Sequence, residues 1–265
     1  MSTQKAFAAA KAEGRGALVG YLPAGFPDLD GSVQAMKVMV DAGCDVIEVG
    51  LPYSDPVMDG PTIQAAAQQA LEAGTRTSDV LRTVEAVAQS GVPTVVMTYW
   101  NPVVRYGVDR FARDLANAGG AGLITPDLVP DEAGEWVTAA DATGLDKIFL
   151  VAPSSTDVRL RRTAQACRGF VYATAVMGVT GARDASSDLA APLVGRTRAV
   201  TDLPVCVGLG VSGGDQAAEV ARYADGVIVG SAFVRRLLDA GTDRAAGLAS
   251  LAELTRDLAE GVRRA

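Results

Sequence analysis

The chain has 265 residues, of which 49% are apolar and 21% are charged, and its formal net charge is −7. Such a length allows two average domains, but single α/β barrels often reach about 200 to 250 residues. The composition is that of a globular protein with a sizeable core. Because no stretch is dense in Lys or Arg, binding to the phosphate backbone of nucleic acids is excluded.

The sequence contains no histidine at all. This absence removes the most common general base and the most common zinc ligand in proteins. It also removes every catalytic device that pairs serine or cysteine with histidine. Any acid–base chemistry must therefore use other side chains.

The three cysteines, Cys44, Cys167 and Cys206, are widely spaced and form no CxxC pair. They are expected to be reduced thiols in a cytoplasmic protein. The first 16 residues lack the apolar region of a signal peptide, and no apolar run reaches membrane-spanning length.

Eight short, nearly continuous apolar runs recur along the chain, each followed by a helical pattern. Such runs are typical of strands buried on both faces of a parallel sheet, and their alternation with helices indicates βαβ units. Eight units in this length favour an α/β fold of the closed (β/α)₈ type, a TIM barrel, over an open doubly wound sheet, which is the alternative. The predicted strands cover residues 17–22, 45–50, 94–99, 122–127, 147–152, 169–175, 204–210 and 225–230.

The helical segments carry recognisable end signals. Gly43 closes the helix after the first strand, while Pro61 stands at a first helical turn that Gly74 closes. An extra helix over residues 2–13 is expected to cover the bottom of the barrel. Because no linker or low-complexity segment interrupts the pattern, residues 1–265 are predicted to form a single TIM-barrel domain.

Three glycine-rich stretches follow the sixth, seventh and eighth predicted strands, where barrel enzymes build their active sites. Glycines let backbone N–H groups approach an anion, and a helix N-terminus adds a favourable dipole. Gly230 and Ser231 open a predicted short helix, so their amides are candidate phosphate ligands. The alternative is that some of these glycines only serve tight turns, as is expected of Gly214. The stretches cover residues 177–181, 208–214 and 229–234.

Glu48 is the leading candidate for the catalytic acid. It lies near the end of the second predicted strand, where the two-residue alternation places it on one face with Val46 and Gly50. A carboxylate in an apolar barrel mouth is costly unless it is used or paired, and desolvation raises its pKa toward a useful range. The alternative is a structural ion pair with an arginine.

The other acids have competing explanations. Asp59, two residues before Pro61, is a candidate catalytic group but also a candidate helix N-cap. Asp55 is expected to be a surface or interface charge, and Asp127 a buried structural acid. Tyr172 on the sixth strand and Thr180 in the following loop could bind a polar substrate or serve only packing and turns.

Several reaction classes lack the groups they need. None of the four lysines lies at the C-terminal end of a predicted strand, since Lys147 opens the fifth strand, so no Schiff base is expected. The scattered acids suggest no metal site, and no GxGxxG fingerprint suggests a dinucleotide. Carboxylate acid–base chemistry on a phosphorylated substrate remains.

The run EVGLPYSDPVMDGPTIQ (48–64) resembles the signature of the tryptophan synthase α subunit family. GYLPAGFPD near the start, YATAVMGVTGAR (172–183) and the glycine loops resemble the same family in the same order, over essentially the whole chain. The resemblance implies a (β/α)₈ barrel that cleaves indole-3-glycerol phosphate to indole and glyceraldehyde 3-phosphate. It implies no cofactor in this chain. It also implies a β-subunit partner that carries pyridoxal phosphate, in an αββα heterotetramer.

The resemblance also assigns roles to residues. Glu48 matches the acid–base that protonates indole C3, and Asp59 matches the group that hydrogen-bonds the indole nitrogen. The remaining matches are substrate-binding or phosphate-binding positions, namely Tyr21, Tyr172, Thr180, Gly181, Gly210, Gly230 and Ser231. A free-standing lyase, a catalytically inert activating subunit and a sugar-phosphate isomerase on the same barrel are the competing hypotheses.

Overall fold

The computed structural model describes residues 2–174, 187–208 and 210–265. Its eight strands form a closed barrel in sequence order, and every neighbouring pair is parallel. The predicted TIM barrel is thereby confirmed over the open sheet, and each predicted strand range agrees with the observed one to within two residues. The strands are β1 (Ala17–Pro23), β2 (Val46–Gly50), β3 (Thr94–Met97), β4 (Gly122–Thr125), β5 (Asp146–Val151), β6 (Val171–Thr174), β7 (Val205–Gly208) and β8 (Gly226–Val229).

Twelve α-helices accompany the strands in the described part of the chain. None of them combines the length and the apolar composition that a membrane span requires. The helices are α1 (Thr3–Ala12), α2 (Leu29–Ala42), α3 (Pro61–Glu72), α4 (Thr77–Ala88), α5 (Trp100–Tyr106), α6 (Val108–Asn117), α7 (Gly134–Thr143), α8 (Asp157–Ala166), α9 (Ser187–Arg198), α10 (Gly214–Ala221), α11 (Ser231–Ala240) and α12 (Arg244–Arg263).

Alternating strand residues divide the core into two layers, as a barrel requires. The outward-facing residues pack against the helices in the larger cluster, which includes Leu18, Ile47 and Val96. The inward-facing residues fill the barrel itself, so its interior is packed. They are Val19, Val46, Val95, Ile124, Ile148, Phe170, Cys206 and Ile228.

Helix α1 covers the bottom of the barrel, as the sequence predicts. Phe7 is buried against Phe170, with ring centroids 5.3 Å apart. The carboxylate of Asp146, at the start of β5, accepts hydrogen bonds from the Thr3 amide and hydroxyl, each at 2.8 Å. Because α1 covers the bottom of the barrel, a substrate is expected to enter from the opposite end, where the strands finish.

Helix ends follow the sequence signals. Asp28 caps α2 by accepting from the Gly31 amide at 2.7 Å, and Gly43 ends that helix with a φ of 121°, which favours glycine. Pro61 occupies the first turn of α3, where its missing N–H costs nothing.

Candidate active site

Glu48 is the third residue of β2 and lies in the barrel mouth. It stands in register with Tyr21 on β1 and Val95 on β3. The alternation along β2 puts it on the same face as Val46, which belongs to the barrel interior. Its side chain is 1% exposed, and Oε1 has no hydrogen-bond partner among the described residues. The alternative of an arginine ion pair therefore finds no support there.

Burial changes the acidity of Glu48. Desolvation raises the pKa of its carboxyl group to about 8, because a buried carboxylate is less stable than the neutral acid. Desolvation raises the pKa values of Tyr21, Tyr172 and Cys206, and the negative charge of Glu48 adds to each rise. At neutral pH burial thus favours a protonated Glu48, which is a proton donor.

Two tyrosines flank this carboxyl group, and glycines make room for both. A Cβ atom added to Gly50 would overlap the hydroxyl of Tyr21, and one added to Gly208 would overlap that of Tyr172. Any larger residue at these two glycines would displace a ring. The structure therefore brings Tyr21, Glu48 and Tyr172 together, as three of the predicted site residues.

Asp59 lies in the loop between β2 and α3, with its side chain half-buried. The N-cap of α3 is Gly60, so Asp59 does not cap the helix. Its Oδ1 instead accepts a hydrogen bond from the hydroxyl of Tyr99 at 3.2 Å. Desolvation raises the pKa of Asp59, and the bond from Tyr99 opposes that rise. Its charge also contributes to the raised pKa of Tyr21, so Asp59 faces the group that contains Glu48.

Tyr99 is a site residue that the sequence analysis missed. It follows β3, is 5% exposed and reaches the loop after β2. The sequence reasoning counted it as the last residue of the third strand, although a polar side chain at the C-terminal end of a barrel strand was the available signal.

Two other acids follow β2 and β4, and the structure exposes the side chains of both. Asp55 is exposed, as predicted for a surface charge. Asp127 was expected to be buried, and that prediction is wrong, because its side chain is exposed. It has a structural role nonetheless, since its carboxylate accepts from the Trp100 amide at 2.9 and 3.1 Å at the start of α5.

The predicted phosphate-binding residues follow β7 and β8. Gly230 is the N-cap of α11 and Ser231 its first residue, so the first amides of that helix have no acceptor within it. A Cβ atom on Gly230 would lie 3.2 Å from the ring of Tyr21, which places this helix end beside the Glu48 group. Gly210 is exposed with a φ of 71°, a conformation that favours glycine. Thr180 and Gly181 lie outside the described residues.

Gly214 has a packing role in the structure. Its amide donates to Asp257 at 2.7 Å, and a Cβ atom there would collide with the backbone and side chain of that residue on α12. Its small size therefore serves close packing of α10 on α12 and not a tight turn.

Metal ligands and a reactive lysine are the groups that other reaction classes would need at this end of the barrel. Within the described residues, no three His, Cys, Asp or Glu side chains lie together as metal ligands. Lys147 lies at the start of β5 and pairs with Asp141 at 2.6 Å, at the end of the barrel opposite Glu48.

Comparison with known proteins identifies the family. A family model described as "Tryptophan synthase alpha chain" matches residues 7–263. The tryptophan synthase alpha chain of Salinispora tropica is 65% identical over 258 residues, 97% of this chain and 96% of the relative. That of Thermobifida fusca is 60% identical over 265 residues, 99% of this chain and 98% of the relative.

Solved structures agree. A structure of Mycobacterium tuberculosis tryptophan synthase superimposes with a TM-score of 0.93 at 58% identity, covering 98% of both chains. The tryptophan synthase alpha chain of Legionella pneumophila gives a TM-score of 0.88 at 30% identity, covering 99% of this chain and 97% of the other. The family predicted from the signature around Glu48 is confirmed. The chain therefore belongs to the tryptophan synthase alpha chain family, lyases that cleave indole-3-glycerol phosphate.

Proposed function

We propose that Glu48 is the acid–base of this cleavage and that Asp59 is its partner at the indole nitrogen. The observation that carries the proposal is the buried carboxyl group of Glu48, whose Oε1 has no hydrogen-bond partner among the described residues and whose pKa is raised to about 8. An acid with a pKa near the working pH both gives and takes a proton efficiently. No other acid in the described part of the mouth is as deeply buried.

The reaction needs one proton to be given and one to be removed. Neutral Glu48 donates its proton to indole C3, and the ring nitrogen becomes an iminium that can accept electrons. The Glu48 carboxylate then takes the proton of the side-chain hydroxyl next to C3. The new carbonyl forms as the carbon–carbon bond breaks, and the bond electrons return to the ring. The products are indole and glyceraldehyde 3-phosphate, and Glu48 ends in its starting state.

Asp59 suits the role at the indole nitrogen because its environment differs from that of Glu48. It is half-buried and accepts a hydrogen bond from Tyr99, which favours its ionised form. A carboxylate can accept the indole N–H and stabilise the positive charge that develops there. Two carboxyl groups in different environments commonly divide acid and electrostatic roles in this way.

The phosphate is proposed to bind at the start of α11, with Gly210, Gly230 and Ser231 as ligands and with Thr180 and Gly181 completing the site. Helix N-termini bind anions through free amides and the helix dipole. Because β1 separates β2 from β8, Glu48 and this helix end lie about 10 Å apart, two interstrand spacings. Tyr21 and Tyr172 would contact the substrate between its indole ring and its phosphate group.

Tryptophan synthase alpha chains carry no cofactor of their own and form a complex with the beta subunit, where pyridoxal phosphate lies. The relatives reported above are alpha chains of this kind, which favours the complex over a free-standing lyase. We expect the segments over residues 52–61 and 177–190 to close over the site when the beta subunit binds. Of the second segment, residues 177–186 lie outside the described residues, and α9 begins at Ser187. Closure excludes water from the site and strengthens its electrostatic interactions.

The test is indole release from indole-3-glycerol phosphate, with and without a tryptophan synthase beta subunit. We expect slow release alone and a large increase with the beta subunit. Glu48→Gln should lose about a hundredfold to ten-thousandfold in kcat while still binding the phosphate ester, since general acid–base catalysis contributes about 10² to 10⁴. Glu85→Gln, on the exposed face of α4, is the matched control and should keep normal turnover. Normal turnover by Glu48→Gln would refute the mechanism.

We further propose that the protein is cytoplasmic. Cys44, Cys167 and Cys206 are free thiols, as reducing compartments require. Cell fractionation with an antibody to the chain tests the assignment, and recovery outside the cytoplasmic fraction would contradict it.

A further inference from the structure

Tyr99 joins two consecutive residues of the loop that carries Asp59. Its hydroxyl accepts a hydrogen bond from the Met58 amide at 2.9 Å and donates one to Asp59 Oδ1 at 3.2 Å. A phenol can do both at once because it has one proton and two lone pairs. The bond to the amide fixes the loop backbone, and the bond to the carboxylate fixes the side chain.

Neighbouring residues hold Tyr99 in place. Its side chain is 5% exposed, and it directly follows β3 and precedes α5. Its carbonyl accepts from the hydroxyl of Thr98 at 3.0 Å, while the next residue, Trp100, is held by Asp127. Its ring packs against Tyr53, with centroids 5.2 Å apart. The hydroxyl therefore projects from the rigid barrel onto an otherwise irregular loop.

We propose that Tyr99 is a positioning residue for the lyase reaction: it holds Asp59 ionised and aimed at the indole nitrogen before the substrate arrives. The inference rests on the role proposed for Asp59. Misplacement of a catalytic group by about 1 Å can cost about a hundredfold in rate. The loop over residues 52–60 has no regular secondary structure of its own to fix Asp59, so the support must come from a neighbouring element.

The protonation states are consistent with this arrangement. Burial raises the pKa of Tyr99 to about 12, so the hydroxyl keeps the proton that it donates. The charge of Asp59 also adds to the raised pKa values of Tyr21 and Tyr99, and both tyrosines remain neutral at physiological pH. Removing the Tyr99 hydroxyl should therefore raise the pKa of Asp59, because desolvation then acts unopposed.

The experiment compares Tyr99→Phe with Tyr53→Phe, which removes the hydroxyl of the other ring in the same aromatic pair. Tyr99→Phe should lower kcat about tenfold to a hundredfold with less than a threefold change in KM, because the phosphate end still anchors the substrate. The acid limb of its pH–rate profile should move to higher pH. Tyr53→Phe should stay within twofold of the parent enzyme, and thermal unfolding should show both variants folded.

A double-mutant cycle with Asp59→Asn decides the interpretation. If Tyr99 acts through Asp59, Tyr99→Phe should cost less than threefold in the Asp59→Asn background. An equal loss in both backgrounds, or normal kinetics for Tyr99→Phe while Asp59→Asn is impaired, would overturn the positioning role alone. Normal turnover by Asp59→Asn would overturn this inference together with the proposed role of Asp59.

Discussion

The buried position of Glu48 favours its action as an acid but lowers the stability of the fold. Its carboxyl group is fully buried, and Oε1 has no hydrogen-bond partner within the described residues. Burying a polar group without a partner costs free energy of folding. The same desolvation raises its pKa into the range in which it can act as an acid. Activity and stability therefore oppose each other at this one side chain.

This opposition predicts a pH-dependent effect of Glu48→Gln on stability. The folded protein keeps the Glu48 proton up to a pKa of about 8, whereas the unfolded chain releases it near 4.5, so the free energy of unfolding falls as pH rises through this window. Glutamine cannot ionise. At pH 8.5 the variant should be about 2 to 4 kcal/mol more stable than the parent, since one pKa unit corresponds to about 1.4 kcal/mol.

Urea unfolding at pH 8.5 and pH 4.5 measures this effect. The difference between variant and parent should be small at the lower pH, where both side chains are largely neutral. Glu85→Gln serves again as the control and should show little difference at either pH. An equal gain at both pH values would show that ionisation of Glu48 is not its cause.

For single residues, the sequence predicted the direction of a side chain where alternation along a strand applies, and it did not do so elsewhere. Alternation along β2 predicted that Glu48 faces inward with Val46, and the structure has them so. Asp127 was misjudged because it follows β4 in a turn, where no periodicity tells inside from outside. Tyr99 was missed because its partner Asp59 is 40 residues away, and a polar side chain at the end of a strand does not by itself indicate which residue it contacts.

At the scale of elements, the strands and helix ends could be predicted well because their signals are local. Buried parallel strands are apolar throughout, which made all eight runs visible. Pro61 and Gly43 marked helix ends through backbone chemistry alone. The sequence alone could not decide whether Asp59 is a helix cap or a site residue. That choice depends on whether the N-cap of α3 is Asp59 or the adjacent Gly60, and the structure shows Gly60.

Helix α11 provides a test of phosphate binding at the element scale. Ser231→Asp places a negative charge at the N-terminus of α11, where it competes with the substrate phosphate. The KM for indole-3-glycerol phosphate should rise at least about tenfold, with a smaller change in kcat, because the reacting groups are at the other end of the substrate. Steady-state kinetics measure both values.

Ser231→Ala is the matched control and should change KM much less, since the backbone amides remain. Because a negative charge at a helix N-terminus is favourable, Ser231→Asp should not lower thermal stability. An unchanged KM for Ser231→Asp would contradict the assignment of this helix end.

For the whole molecule, the description of residues 1–265 as one domain stays a prediction. Phe7 offers a way to test it, because it belongs to α1 yet packs on Phe170 inside the barrel. In a single domain, Phe7→Ala should lower the stability of one cooperative transition by about 3 to 5 kcal/mol. Lys5→Ala, exposed on the same helix, should have little effect. Calorimetry that resolved a separate early transition for α1 would contradict the single domain.

The closed barrel joins its first strand to its last, and the proposed site lies across that junction. β1 pairs with β2 on one side, next to Glu48, and with β8 on the other, next to Gly230. During translation, Glu48, Asp59 and Tyr99 leave the ribosome long before β8 and α11 are made. The site can therefore assemble only when synthesis of the chain is nearly finished. A truncated product that stops before Gly226 would hold every proposed acid–base residue and still lack both the barrel closure and the phosphate site.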